Sequence, residues 1–209
     1  MDLSDNTIER ICKIFGYLNF LERSETKLVS SRELAKAIGS TEYTVRKDIS
    51  FLAVGGYTRK GYEVKSLKQE LGNKLNLNKK RKACIVGLGR LGSALLDYEK
   101  FQEDGFEIVA GFDCSINKLE RIQTQIDVFS DNDIKEIVCL REIEVGIIAV
   151  PPQSAQDVAD KLIGAGVTGI LNFSTQKVIV SSNVIYLNLD FTNALRFIAA
   201  KVMIQKAKK

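Results

Sequence analysis

Gly87, Gly89 and Gly92 follow the small and apolar run Ala83-Cys-Ile-Val and precede Ser93, Ala94, Leu95 and Leu96. A Gly-x-Gly-x-x-Gly turn between a strand-like and a helix-like stretch suits phosphate binding. The first glycine permits a tight bend, the second lets the backbone come close to a pyrophosphate, and the third lets the helix pack on the strand. A second apolar run, Phe106-Glu-Ile-Val-Ala-Gly-Phe112, ends at Asp113. That acid lies about 20 residues beyond the glycines, where a carboxylate can accept a hydrogen bond from a ribose 2′-hydroxyl. Together they predict a bound dinucleotide.

Chemistry on such a cofactor is a separate matter. Hydride transfer to a carbonyl needs a proton donor beside the nicotinamide. The chain has no histidine, and Tyr98 is followed four residues on by Gln102 rather than by a lysine. A regulator is expected rather than an enzyme, with an NAD-dependent dehydrogenase as one alternative and a regulator answering to another nucleotide, such as coenzyme A, as a second. Cys12, Cys84, Cys114 and Cys139 form no C-x-x-C pair and have no histidine to complete a mixed metal site, so buried thiols and no metal are expected.

Around the glycine turn, helix and strand patterns alternate: a helix over 91–101, the strand ending at Asp113, a short strand near 126–129, a helix over 131–140, and the apolar run Val145-Gly-Ile-Ile-Ala-Val150 stopping at Pro151-Pro152. A helix over 153–165, the strand Gly169-Ile-Leu-Asn172 and a last strand over 184–190 complete the series. Regular βαβ alternation predicts an α/β fold with a doubly wound parallel sheet and a ligand at the carboxyl ends of its strands. The tail from Phe191 to about Lys206 reads as an apolar helix with little of its own chain left to cover, which suits burial against a second subunit.

The first 82 residues carry 17 Lys/Arg against 10 Asp/Glu, a balance of +7, while the remainder carries 13 against 16, a balance of −3. The basic part therefore suits a polyanion. Asn6 with Glu9 can cap a first helix over 6–20 with Ile8, Ile11, Cys12, Phe15 and Leu18 on one stripe; Ser30 with Glu33 caps a second, stopped by Gly39. Ser40 or Thr41 caps a third, which buries Val45, Ile49 and Leu52 and turns Tyr43, Thr44, Arg46 and Lys47 outward. The last two helices read as a helix-turn-helix, and residues 55–64, with Arg59 and Lys60 at the tip, as the β-hairpin of a wing. A brief helix over 66–75 leads to the polar stretch Asn78-Lys-Lys-Arg-Lys82. The expected domains are 1–77 for DNA, a basic linker 78–82, 83–189 for the nucleotide, and 190–209 for dimerisation. Apolar residues make up 45% of the chain, enough for cores, and no apolar run approaches the ~20 residues that span a bilayer, so a cytoplasmic protein is expected.

The order Val45-Arg46-Lys47-Asp48-Ile49-Ser50, Gly87-Leu-Gly89-Arg-Leu-Gly92, Phe112-Asp113, Ala149-Val150-Pro151, Gly169-Ile-Leu-Asn172-Phe173 and Asn188-Leu-Asp190 resembles the Rex family of redox-sensing repressors. The resemblance covers nearly the whole chain. It implies a winged helix joined to a Rossmann domain, in a homodimer that exchanges C-terminal helices, binds palindromic double-stranded operator DNA when NADH is low and leaves it when NADH binds. NADH and NAD+ would be regulatory ligands. Cofactor contacts are expected from Gly87, Leu88, Gly89, Arg90, Leu91, Gly92, Tyr98, Asp113, Ala149, Val150, Pro151, Asp190 and Phe191. DNA contacts are expected from Ser31, Thr41, Tyr43, Thr44, Arg46, Lys47, Arg59 and Lys60. In the family, Tyr98 would lie near the nicotinamide and Asp190 would couple it to the DNA-binding domain. Three positions depart from the family: Gly16 stands where an arginine usually pairs with that aspartate, the wing's arginine is displaced by one position, and Cys114-Ser-Ile-Asn-Lys118 replaces an acidic, proline-containing turn.

Overall fold

The computed structural model describes residues 3–52, 57–58 and 61–207, with the side chains of Tyr57 and Thr58 left aside. The chain divides into two compact units, Met1–Lys80 and Arg81–Lys209.

The first unit opens with α1 (Asp5–Arg23), whose N-cap is Ser4, its hydroxyl accepting from the Thr7 amide at 3.4 Å. The expected Asn6–Glu9 cap thus lies inside the helix. Strand β1 (Leu28–Val29) leads to α2 (Ser31–Ile38), where the Ser30–Glu33 capping box forms and Gly39, at φ +67°, ends the helix. Thr41 then caps α3 (Glu42–Phe51) through the Thr44 amide at 3.1 Å. Strands β2 (Tyr57–Thr58) and β3 (Gly61–Glu63) and helix α4 (Val64–Leu75) complete the unit. The strands form an antiparallel sheet in the order β1-β3-β2, so a wing follows the helix-turn-helix as expected. Gly61 sits at φ +121°, and a Cβ there would meet the Val29 carbonyl oxygen at 2.6 Å, so this strand start requires glycine. Ile11, Ile14, Leu18, Leu34, Val45, Ile49, Leu52, Leu67 and Leu71 fill one core. Cys12 falls one step off the α1 stripe and is exposed, as are Cys114 and Cys139; only Cys84 is the buried thiol foreseen for all four.

The second unit begins with β4 (Arg81–Val86), which takes Arg81 and Lys82 out of the expected linker and pairs Arg81 with Glu144. There follow α5 (Arg90–Leu96), α6 (Glu99–Glu103), β5 (Phe106–Asp113), α7 (Ile116–Leu119), β6 (Val128–Ser130), α8 (Ile134–Arg141), β7 (Val145–Ile148), α9 (Ala155–Gly164), β8 (Gly169–Asn172), β9 (Ile185–Asn188) and α10 (Phe191–Lys206). The single helix expected over 91–101 is broken at Asp97-Tyr98. All six strands are parallel, in the order β6-β5-β4-β7-β8-β9. This is the doubly wound Rossmann order, with its switch point between β4 and β7. Strand side chains alternate between faces: Cys84, Val86 and Phe112 pack with α8 and α9, while Ala83, Ile85 and Ile108 pack with Leu88 and Leu96. Burial pushes the Cys84 thiol up to about 12.

Apart from Phe191, which stacks on Phe173, helix α10 lies largely exposed among the described residues. It buries no residue, and Leu195, Phe197, Ile198 and Met203 are all more than half exposed. Fully burying one such side chain is worth about 1.5–3 kcal/mol, so the helix carries a large unmet drive for a partner surface.

Candidate nucleotide cleft and nucleic-acid interface

The chain leaves β4 through Gly87, which turns at φ +96° while its amide donates to the Phe112 carbonyl at 2.8 Å. A Cβ on Gly87 would meet the Ala149 carbonyl oxygen at 2.6 Å, and one on Gly92 would meet the Gly87 carbonyl oxygen at 1.9 Å. Both glycines are thus required by the protein's own packing. Gly89 differs, because a Cβ there has nothing within 4 Å. The fold itself leaves that position open, and the backbone there is free of steric cover.

Asp113, at the carboxyl end of β5, is 3% exposed. Its Oδ2 accepts from the Leu88 amide at 2.8 Å, its Oδ1 from the Ser115 amide at 2.8 Å, and the Lys118 ammonium lies 3.2 and 3.0 Å from Oδ1 and Oδ2. Burial by itself raises this carboxyl; the Ser115 amide, the Lys118 ammonium and the Leu88 amide outweigh it and hold Asp113 below its ordinary value. The acid is therefore charged at neutral pH and anchored to the glycine loop.

Gly87, Gly89, Asp113, Ala149, Val150 and Pro151 line one cleft of about 460 Å³ at the carboxyl ends of β4, β5 and β7. That volume lies in the range of small-molecule sites. Cys114, Lys118, Asp131, Ser154 and Asp157 also line it and were missed by sequence reasoning. The available signal was positional: Cys114, Lys118 and Asp131 follow closely on the carboxyl ends of β5 and β6, while Ser154 and Asp157 stand at the start of α9 on the connection leaving β7.

Some expected contacts fall elsewhere. Leu88 turns its side chain into the core and its amide to Asp113, so neither faces a ligand. Arg90 and Leu91 lie exposed at the first turn of α5. Tyr98 is half exposed between α5 and α6, its ring edge-on to Phe101 at 5.2 Å, and it lines a separate cavity of about 810 Å³ with Asp97, Gln102, Phe106 and Thr124. Asp190 caps α10, its Oδ1 accepting from the Thr192 and Asn193 amides at 2.9 and 3.1 Å, and Phe191 stacks on Phe173. Among the described residues no hydrogen bond joins Tyr98 to Asp190, and the amides at the start of α10 donate to one oxygen of that carboxylate.

In the first unit, Tyr43, Arg46 and Lys47 fall at helical spacing on one exposed face of α3, opposite Val45 and Ile49. Arg46 reaches back to Glu42, Nη2 to Oε1 at 3.1 Å. Thr41 and Thr44 share a hydroxyl–hydroxyl bond of 2.8 Å at the start of the helix. Ser31 does not offer its side chain to DNA as expected: it is buried and donates to Glu42 at 2.9 Å. Arg59 and Lys60 lie outside the described residues. Asp48, 5% exposed, takes both the Nε and Nη2 of Arg10, a pairing the sequence reading did not find.

The described residues hold no group of three or more His, Cys, Asp or Glu side chains that could bind a metal, and no helix among them is long and apolar enough to cross a membrane.

Comparison with known proteins decides what this pairing of sites means. The chain is 38% identical over 190 residues to the redox-sensing transcriptional repressor Rex of Carboxydothermus hydrogenoformans, covering 91% of each chain. It is 36% identical to that of Ligilactobacillus salivarius, covering 90% of this chain and 89% of the other. The chain belongs to the Rex family of redox-sensing transcriptional repressors. Family models described as "CoA binding domain" and "Putative DNA-binding protein N-terminus" match residues 78–176 and 2–50. Among solved structures, the Rex-family repressor RSP bound to NADH matches with a TM-score of 0.84 at 28% identity, covering 99% of this chain and 97% of the other. The same repressor with NAD+ and operator DNA matches with 0.85 at 28% identity, covering 100% and 98%. The expected winged-helix and Rossmann architecture is therefore the family's own.

Proposed function

We infer that this chain is a transcriptional repressor that senses the balance of NADH and NAD+, binding operator DNA when NADH is low and leaving it when NADH binds. One observation carries the reading: over more than nine-tenths of its length the chain matches redox-sensing repressors, with an exposed basic recognition helix in one unit and a dinucleotide cleft in the other.

The cleft fits a nicotinamide dinucleotide. Gly87 and Gly92 close the turn, Gly89 leaves its backbone approachable, and Asp113 is held as an acceptor for the adenosine ribose. No arginine stands at residues 114–116 to balance a 2′-phosphate against that acid, which favours NAD(H) over NADP(H). When bound, the cofactor supplies a nicotinamide ring that is positively charged only when oxidised. Tyr98 and Asp190 are the polar groups proposed to respond to that charge.

A ligand moves DNA-binding units only through a difference in its affinity for two states. Shifting a population from 1:99 to 99:1 takes about 5.5 kcal/mol of differential binding. The chain works as a homodimer through its uncovered α10, which suits a palindromic site with half-sites about one helical turn or a multiple apart. With no histidine and no lysine four residues after Tyr98, it regulates rather than catalyses, and it acts in the cytoplasm. Calorimetric titration with NADH, NAD+, NADPH and coenzyme A tests the ligand. NADH must bind more tightly than NADPH and coenzyme A; preferential binding of coenzyme A would replace NADH as the signal.

A further inference from the structure

Glu42, the first residue of α3, receives the Ser31 hydroxyl on Oε1 at 2.9 Å and the Arg46 Nη2 on the same oxygen at 3.1 Å. The Arg32 Nε lies 3.8 Å from its other oxygen. One carboxylate therefore stands between two arginines where α2 and α3 begin, beside the face assigned to DNA. A helix pair of this kind presents the N-terminal residues of its second helix to base edges while the first helix lies against the backbone. An acid placed there opposes phosphates of any sequence.

The same acid restrains Arg46. A free arginine carries substantial rotamer entropy, and ordering such a side chain at an interface costs free energy. An arginine already held by Glu42, itself fixed by the Ser31 hydroxyl, meets a base edge with part of that cost removed. Its attraction to phosphates elsewhere is reduced by the neighbouring negative charge. Phosphate contacts set affinity for all DNA, whereas base contacts set preference.

We propose that Glu42 is a specificity-determining positioning residue: it lowers affinity for DNA in general and raises discrimination for the operator by holding Arg46. This rests on the reading of α3 as the recognition helix. A simple role in starting the helix would be a matter of stability and would leave the ratio of the two affinities alone.

The test compares the full-length protein with Glu42→Gln on a Rex-type AT-rich inverted repeat and on a scrambled duplex of equal composition, over a salt series. Glutamine keeps an acceptor for Ser31 and removes the charge. Affinity for the scrambled duplex is expected to rise about 3–10-fold. Its log K against log salt should steepen by about 1.8, for one added phosphate contact per protomer of a dimer at ~0.9 each. The operator-to-scrambled ratio should fall about tenfold. In an Arg46→Ala background, Glu42→Gln must leave the ratio where Arg46→Ala alone puts it. A folding defect lowers both affinities together and cannot imitate a rise on the scrambled duplex. An unchanged ratio, or a fall that persists without Arg46, overturns the role of Glu42 while the repressor reading stands. Failure of the unmodified protein to prefer the operator overturns that reading and the inference with it.

Discussion

Arg10 of α1 and Asp48 of α3 form a two-pronged ion pair, Nε to Oδ2 at 2.6 Å and Nη2 to Oδ1 at 2.8 Å. The pair sits at the back of the recognition helix and fixes its rotation, so that Tyr43, Arg46 and Lys47 face outward while Val45 and Ile49 face the core. Arg10→Ala leaves a nearly buried carboxylate without its cation. Breaking a fully buried pair costs 3–5 kcal/mol, and a partly solvated Arg10 lowers that to about 2–3 kcal/mol. Thermal unfolding should show the loss in the first unit, and replacing both partners with Met should recover part of it.

Asp113 and Lys118 govern the choice of cofactor. Asp113→Asn removes the charge that repels a 2′-phosphate and frees the Lys118 ammonium now 3.0 Å away. The NADPH-to-NADH affinity ratio should rise about tenfold, roughly 1.4 kcal/mol. An unchanged ratio in calorimetry would place the ribose away from Asp113.

The same carboxylate makes a pH prediction. Folding lowers the Asp113 pKa, so its contribution to stability is complete above the ordinary value of 3.8 and fades as the pH falls through the lower folded value. Between pH 6 and 8 the group stays ionised and contributes no slope. A melting-temperature profile for the native protein and Asp113→Asn should run parallel across that window and converge only in acid.

The partner surface of α10 is open to direct attack. Phe197 and Met203 are mostly exposed in the single chain, so Phe197→Glu with Met203→Glu should leave each protomer folded and dissociate the dimer. Sedimentation should show monomers, with operator affinity falling at least tenfold because two half-sites are no longer bound at once.

Gly16 stands where the resemblance to the family leads to the expectation of an arginine. A Cβ there meets nothing within 4 Å on the exposed face of α1, so Gly16→Arg is sterically free and should stabilise the helix by about 0.5–1 kcal/mol. In the native chain Asp190 is held by the start of α10, and the glycine in α1 offers it no cation, so NAD+ should enhance operator binding only weakly. In Gly16→Arg that enhancement should grow. Strong enhancement in the native protein would mean that Asp190 has another partner.

What the sequence disclosed depended on how local the cause was. The Ser30–Glu33 box, the Gly39 stop, the β8 strand and the full extent of α10 are written in adjacent residues, and the structure has them where expected. The glycine turn and the strand ending at Asp113 likewise located part of the cleft, Gly87, Gly89 and Asp113. Arg10 and Asp48 are 38 residues apart and meet only after the helices pack, so no spacing reveals them. Leu88 misleads because its neighbours suggest a loop facing the ligand, whereas Asp113, 25 residues later, draws its amide inward. Lys118 reads as part of an altered turn; only the fold of α7 returns it to Asp113. The break before α6 is hidden because the residues on both sides have helical composition.

The central claim, release of DNA by reduced cofactor, is tested most directly by operator titration of the native full-length protein without ligand, with NAD+ and with NADH, at one fixed salt concentration. The account predicts that saturating NADH weakens operator binding at least tenfold, about 1.4 kcal/mol of differential binding, while NAD+ at the same concentration does not weaken it. Equal operator affinity with NADH and with NAD+ would contradict it.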